Sequence, residues 1–315
     1  MSVAGFGLDI GATKTLGVAV DRHGTVLAEV RLPTVPGAEG VAATATAVVE
    51  QLLTTIDGDD ALWPIGVGVP GLVDLAAGAV KHAVNLGLDG EWLPLRDLLE
   101  QRLGRPVVVE NDVNAAALGA TSLVPARPDG GPSDLAYLSL GTGLAAGLVL
   151  DGRPRRGVHG AAGEVGHIPV DPLGLWCPCG QRGCLETVAS GSALAAAWPS
   201  ARGAAPAAAL FQAAAEGDAK AVAVRDEFAA AVASAVRLLC LIVDVDAVVL
   251  GGGVADVGEP LRAAVRQALG DQVSASPFLG SLHLADRVSV VPRGYPVAAV
   301  GAALMGRPAT PDGGG

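Results

Sequence analysis

Three of the chain's four cysteines, Cys177, Cys179 and Cys184, fall within eight residues. That spacing is too tight for an ordinary disulfide framework and suits a metal ion held by thiolates on a short loop. His167, ten residues before Cys177, is the nearest ring nitrogen. It completes a Cys3His set, a closed tetrahedral zinc site with no position left for a reactive water, so the zinc is expected to be structural. Gly180 and Gly183 let the loop fold back on the ion. Cys240, inside an apolar helical run, reads instead as a small buried hydrophobe. Glu164 and Glu186 flank the set. Each alone would be an ordinary solvated charge, but a metal-pinned loop would fix both where carboxylates can grip vicinal sugar hydroxyls.

Phosphate chemistry is suggested elsewhere. Asp9-x-Gly11-x-Thr13-Lys14 places a carboxylate at a strand end and a donor-rich turn after it. Backbone N–H groups, the Thr13 hydroxyl and the Lys14 ammonium can hold phosphate oxygens, and Asp9 can position Mg²⁺ through water. A second copy lies 130 residues on without gaps: Leu8 to Asp21 overlays Leu138 to Asp151, so Gly11 meets Gly141 and Gly17 meets Gly147. Its turn is Gly141-Thr142-Gly143, and Ser139 stands where Asp9 was. Two plain β-turns are the simpler reading of either copy alone; the repeat favours two turns gripping one phosphate chain. A Walker A loop is absent. Gly141-x-Gly143-x-x-Ala146 fits a dinucleotide fingerprint, but that fingerprint needs a helix after the turn, and another strand is expected there.

Glu110-Asn111-Asp112-Val113-Asn114 follows an all-Val run and precedes an Ala-rich one. A carboxylate at the C-terminal end of a strand suits a base that orients and deprotonates a hydroxyl, and Asp112 is the candidate. Asn111 could bond a neighbouring hydroxyl. A helix N-cap is the competing role for these residues, though one cap does not require so polar a run.

The elements that must carry these groups follow from hydrophobic period. Each repeat reads as an apolar run, a turn and a second apolar run, a β-hairpin. Strand-then-turn units recur at Val107 to Asp112 and Val248 to Gly253. Helical patterns cover Ala42 to Thr55, Leu95 to Leu103, Ala115 to Leu123, Ser192 to Ala215 and Asp218 to Val243. Two similar halves predict two related α/β domains facing each other across a cleft, one over 1–115 with a returning segment near 297–315, the other over 116–296. The tail Arg307 to Gly315 is expected to be disordered.

Bulk properties narrow the classes. The 315 residues carry a formal net charge of −11, which argues against a nucleic-acid surface built on basic patches. Aromatic residues are only 3% of a chain that is half hydrophobic, so Ala, Val, Leu and Gly supply the core, as tight α/β packing requires. The start lacks a basic n-region and Asp9 interrupts its apolar run, so neither a secretory leader nor a membrane span is expected. A cytoplasmic location follows as the default.

Together these motifs resemble the ROK family (repressor, open reading frame, kinase). Asp9-x-Gly11-x-Thr13-Lys14 and Gly141-Thr142-Gly143 are similar to its two phosphate motifs. Gly66-Val67-Gly68-Val69-Pro70-Gly71-Leu72-Val73-Asp74 resembles its segment beside the sugar, and Asn111-Asp112-Val113-Asn114 its catalytic N-D-x-N. Glu164-Val165-Gly166-His167 resembles E-x-G-H, and Cys177 to Glu186 resembles C-x-C-G-x-x-G-C-x-E. Gly251-Gly252-Gly253 resembles the segment beside adenosine. The resemblance implies an actin-like, RNase H-like two-domain fold, a homodimer or dimer of dimers, and an ATP-dependent hexose kinase of the glucokinase kind. It implies Asp112 as base towards the 6-hydroxyl, with Gly71, Asn85, Asn111, Glu164, His167 and Glu186 around the sugar and Asp9, Gly11, Thr13, Lys14, Thr142, Gly143 and Gly251 to Gly253 around ATP and Mg²⁺.

In one place the sequence departs from the family pattern. Asn85-Leu86 is followed by Gly87-Leu88-Asp89-Gly90-Glu91 before Trp92, a longer link than family kinases carry. That leaves room for an amino sugar (kanosamine, N-acetylglucosamine or N-acetylmannosamine) or a C7-cyclitol. The competing classes are a ROK transcriptional repressor, disfavoured by the acidic charge and by only eight residues before Asp9, and a sugar sensor without catalysis, disfavoured by Asp112.

Overall fold

The computed structural model describes residues 3–56, 63–200 and 205–306, and the chain divides into two compact units: Met1–Leu123 with Pro296–Gly315, and Val124–Tyr295. In the first, β1 (Gly5–Ile10), β2 (Lys14–Val20) and β3 (Val26–Pro33) form an antiparallel meander. β4 (Ile65–Val69) and β7 (Val107–Asn111) extend it parallel to β1, in the order β3-β2-β1-β4-β7. β5 (Leu72–Asp74) and β6 (Ala79–Lys81) make a separate ribbon. Helices α1 (Ala38–Thr55), α2 (Leu95–Leu103) and α3 (Asp112–Ala120) complete the run.

The second unit repeats the plan with β8 (Leu135–Leu140), β9 (Leu144–Leu150), β10 (Arg153–Pro154), β11 (Ala247–Gly251) and β12 (Val288–Val290), in the order β10-β9-β8-β11-β12. Its helices are α4 (Glu186–Ala189), α5 (Gly191–Ala197), α6 (Pro206–Ala215), α7 (Ala219–Val243), α8 (Glu259–Val273) and α9 (Pro277–Ser281). The last helix, α10 (Val297–Met305), returns to the first unit.

Glycine makes the first unit's close packing possible. Adjacent β1 residues face opposite sides of the sheet, and Gly17 in β2 is registered opposite Leu8. A Cβ at Gly17 would strike Val48 and Leu52 of α1, and one at Gly7 would strike Ala299 and Ala303 of α10. The two helices therefore cover opposite faces. Gly66 meets Ala302, and Gly301 meets Ala115 and Gly119, in the same way. β4 is wholly buried, as a parallel strand covered on both faces must be.

Three sequence expectations need adjustment. The division falls after Leu123 rather than at 115, because α3 packs on α10. The expected helix over Ser192–Ala215 is broken, with α5 ending at Ala197 and α6 starting at Pro206. Pro199 forces Trp198 out of helical geometry, to φ −130 and ψ 79. Finally, the repeat is gapless in sequence but not in pairing. Ile10 pairs with Thr15 around a four-residue turn, whereas Leu140 pairs with Leu144 around three residues. One residue of slip moves β9 to the other face, so Gly147 is registered opposite Tyr137 while its sequence counterpart Gly17 is opposite Leu8. The tail Arg307 to Gly315 lies outside the described residues.

Candidate functional site

In the first unit, Asp9 near the end of β1 is registered beside Gly68 of β4, and Gly68 beside Glu110 of β7. Asp112 opens α3 immediately beyond β7. A Cβ at Gly68 would sit 3.6 Å from the Asp112 Cα and 3.3 Å from the Ala115 Cβ, so this glycine lets α3 start close against the sheet. The two carboxyls, Asp9 and Asp112, feel one another. Burial pushes Asp9 up to about 7, Asp112 adds to the rise and the Lys14 ammonium opposes it. Burial also raises Asp112, against the N–H groups of Val113 and of Asp112 itself.

The polar run around Asp112 divides its labour. Asn111 is the N-cap of α3: its Oδ1 accepts from the Val113 N–H at 2.9 Å and the Asn114 N–H at 3.3 Å. Its Nδ2 donates to the Gly71 carbonyl at 3.2 Å, which leaves one amide N–H for a ligand. Buried Glu110 accepts from the Asn111 N–H and the Asn114 Nδ2. The Val113 N–H is shared, since Asp112 Oδ1 also accepts it at 2.9 Å; one oxygen of Asp112 is thus tied to the start of α3 beside the Asn111 cap. Gly71, at φ +98, closes on the Lys81 carbonyl and the Ala83 N–H, where a side chain would collide.

Ala12, Thr13 and Lys14 form an exposed turn after Asp9, closed by the Gly11 N–H donating to the Lys14 carbonyl at 3.0 Å. Asn85 is exposed within a single 3-10 turn, Val84–Leu86. In the long link that follows, Leu88 is buried and its N–H bonds the Ala83 carbonyl. Asp89, Gly90, Glu91 and Trp92 are left exposed.

In the second unit, the turn Gly141 to Gly143 is bonded to the segment beyond the cysteine loop. Glu186 Oε2 accepts the Leu144 N–H at 2.8 Å, and the Gly191 N–H donates to the Gly141 carbonyl at 2.8 Å. A Cβ at Gly143 would collide with the Glu186 carboxylate. A cavity of about 370 Å³ opens here, lined by Thr142, Gly143, Trp176, Pro178 and Glu186 among others. The three glycines of the expected adenosine segment differ. Gly251 lies against the Tyr137 ring. Gly252, at φ +80, donates its N–H to the Tyr137 hydroxyl at 3.1 Å, and Gly253 faces open space.

His167, Cys177, Cys179 and Cys184 come together as expected, with ligand atoms all within 4.8 Å of one another. Cys179 Sγ and Cys184 Sγ are 3.7 Å apart, and Cys177 Sγ is 3.8 Å from His167 Nδ1. Zinc–sulfur bonds of about 2.3 Å at tetrahedral angles put sulfurs roughly 3.8 Å apart, so the donor set fits such an ion. The Cys179 thiol is lowered to about 6, chiefly by the Gln181 N–H, and burial raises Cys184. Glu164 Oε2 lies 3.9 Å from His167 Nε2, the nitrogen turned away from the sulfurs.

Sequence reasoning passed over several supporting residues. Gln181 bonds both the His167 carbonyl and Cys179 Sγ; its place inside the cysteine loop was the available signal. Tyr137 supports Gly252 from a neighbouring strand, with no local signal. Thr34 and Thr15, buried and hydrogen-bonded behind the first turn, were likewise unmarked.

Known proteins resemble this chain over most of its length. The ROK family profile matches residues 5–303. A glucokinase of Halalkalibacterium halodurans is 34% identical over 283 residues, covering 83% of this chain and 83% of that one. An N-acetylmannosamine kinase of Yersinia pseudotuberculosis is 31% identical over 251 residues, 79% of this chain and 83% of the other. The crystal structure of a ROK family glucokinase from Streptomyces griseus, in complex with glucose and AMPPNP, aligns with a TM-score of 0.76 at 33% identity, covering 97% of this chain and 99% of that one. The two α/β units share the actin-like two-domain fold of these kinases. From residue 5 to residue 303, the chain belongs to the ROK family.

Proposed function

We propose that the chain is an ATP-dependent sugar kinase that phosphorylates the 6-hydroxyl of a hexose, with Asp112 as general base. The observation that carries this reading is the carboxyl pair Asp9 and Asp112, set beside an exposed donor-rich turn on one sheet. ATP and Mg²⁺ supply the phosphoryl group and the charge neutralisation on which its transfer depends. Asp9 is the residue to hold the Mg²⁺ through water. The turn residues Ala12 to Lys14 and Gly141 to Gly143 offer N–H groups to phosphate oxygens, and Gly253 is open to a nucleoside. Asp112 accepts the hydroxyl proton and orients the oxygen for attack. The free N–H of Asn111, the Gly71 segment, Asn85, Glu164, His167 Nε2 and Glu186 are assigned to the remaining hydroxyls. His167, Cys177, Cys179 and Cys184 are assigned to a structural zinc, supported by donor spacing.

An amino sugar is the second reading. It is favoured by the exposed link Asp89 to Trp92 and by the likeness to an N-acetylmannosamine kinase. A cytoplasmic homodimer, or a dimer of dimers, is proposed as the working form. The exposed Leu241 and Ile242 at the end of α7 are available to such an interface, and among the described residues no helix is long and apolar enough to cross a membrane. ADP release should require both a sugar and Mg²⁺. A panel of glucose, mannose, fructose, N-acetylglucosamine, N-acetylmannosamine and 3-amino-3-deoxyglucose tests this. No ADP with any of them would replace the kinase by a sugar sensor.

A further inference from the structure

The first hairpin turn is held by a residue beyond the next strand, 23 positions from Gly11. Thr34, directly after β3, is only 8% exposed, and Thr15 beneath it is fully buried. The Thr34 hydroxyl donates to the Gly11 carbonyl at 2.7 Å, and the Thr34 N–H donates to the Thr13 carbonyl at 3.2 Å. A hydroxyl has one proton to give. The 2.9 Å contact between Thr34 Oγ1 and Thr15 Oγ1 therefore runs the other way, with Thr15 as donor and Thr34 as acceptor. With the Lys14 carbonyl taken by the Gly11 N–H, the carbonyls of Gly11, Thr13 and Lys14 are all bonded within the protein.

In a trans peptide the N–H points opposite to the carbonyl, so tying the Gly11 and Thr13 carbonyls inward turns the N–H groups of Ala12 and Lys14 outward, where they can meet an anion, while the Gly11 N–H is spent within the turn. The tie continues behind Thr34. The Val35 N–H donates to Thr44 Oγ1 at 3.2 Å, and Thr44 Oγ1 donates to the Gly40 carbonyl at 2.8 Å inside α1. The turn, closed within itself only by the bond from the Gly11 N–H to the Lys14 carbonyl, is thus also braced against the longest helix of its unit, α1.

We propose that Thr34 is the positioning residue of the phosphate-binding turn: its hydroxyl and N–H hold two carbonyls inward and so aim the turn's N–H groups at a nucleotide phosphate. The inference rests on the kinase reading above. Thr34 touches no reacting atom and acts through the turn.

The test compares the full-length protein with T34V, T34S and T15V. The T34V change keeps the shape and removes the donor, so a peptide flip at Gly11 becomes accessible. The KM for MgATP and the Kd for a non-hydrolysable ATP analogue with Mg²⁺ should each rise roughly tenfold, as loss of a buried hydrogen bond allows, while the KM for the sugar stays near wild type. T34S restores the donor and should restore nucleotide binding. T15V leaves the bond from Thr34 to Gly11 intact and should bind nucleotide nearly normally, which keeps the proposal testable if T34V folds poorly. Unchanged nucleotide affinity in T34V, a parallel loss of sugar affinity, or T15V weakening nucleotide as much as T34V would each overturn it. Analogue binding to the wild type separates the two levels: if it is absent, the kinase reading itself fails; if it is present and T34V matches it, only the role of Thr34 fails.

Discussion

Glu186 Oε2 accepts the Leu144 N–H at 2.8 Å, which bonds the residue two positions beyond Cys184 to the end of the second hairpin turn. One carboxylate oxygen is therefore committed to the turn, and the proposed sugar contact falls to the other. Replacing Glu186 by Ala should raise the KM for MgATP as well as that for sugar. Gln keeps an acceptor, so E186Q should spare nucleotide binding and lose mainly on the sugar side. Steady-state kinetics on both variants decide the matter, and equal MgATP effects of Ala and Gln would remove the clamp from the explanation. G143A should resemble E186A, because its new methyl group would occupy the space of that carboxylate.

The Cys3His set should hold about one zinc per chain. Cys179 is the exposed member, with its thiol already lowered by the Gln181 N–H. C179S should lose most of the metal by elemental analysis and melt several degrees lower. A wild-type preparation free of zinc that keeps full activity would show that the cluster has no structural part in catalysis.

Asp9 makes a signed prediction about pH. Its folded-state value, about 7, lies above the ordinary 3.8, so the folded protein binds the proton more tightly than the unfolded chain does. Stability should be fullest below the unfolded value and should decline as pH rises through the folded one. The effect is expected to be of the order of one to a few kcal/mol, less than the full shift would give, because Asp9 as a residue is only partly buried. With Mg²⁺ chelated, D9N should melt higher than wild type above about pH 7 and converge with it near about pH 4. A flat difference across that range would contradict the burial argument. D9N should still be a poor kinase.

The glycines beneath α10 test the packing of the first unit. A Cβ at Gly66 would overlap the Ala302 carbonyl, and backbone yields less readily than a side chain. G66A is expected to destabilise by about 3 kcal/mol or more, at the upper end for overpacked cores. Denaturant unfolding would show it as a lower midpoint.

What could be read from sequence follows from how local each signal was. The gathering of Cys177, Cys179 and Cys184 with His167 was legible because the three cysteines lie within eight residues and the histidine ten residues before them. The place of Asp112, just past the end of a strand and at the start of a helix, was legible because a Val run precedes it and an Ala-rich run follows, and the 130-residue repeat anticipated two sheets of one topology. The slip between Gly17 and Gly147 was not legible, since a turn shortened by one residue leaves a gapless overlay intact. Thr34 and Tyr137 were invisible for a different reason. Each acts on a turn or strand far along the chain, through one hydroxyl, and a single hydroxyl has no pattern. Asn111 was ambiguous between cap and ligand, and it proves to be a cap with one N–H to spare.

The most direct test of Asp112 as the base measures D112N in two ways: sugar-dependent ADP release and sugar affinity by calorimetry. Asn keeps the size and one acceptor oxygen but cannot accept the hydroxyl proton, so turnover should fall by roughly 10²- to 10⁴-fold, as expected for loss of a general base. Sugar affinity should stay within about tenfold of wild type, since binding does not need the proton to move. Turnover that survives in D112N at wild-type level would contradict the assignment of Asp112 as base.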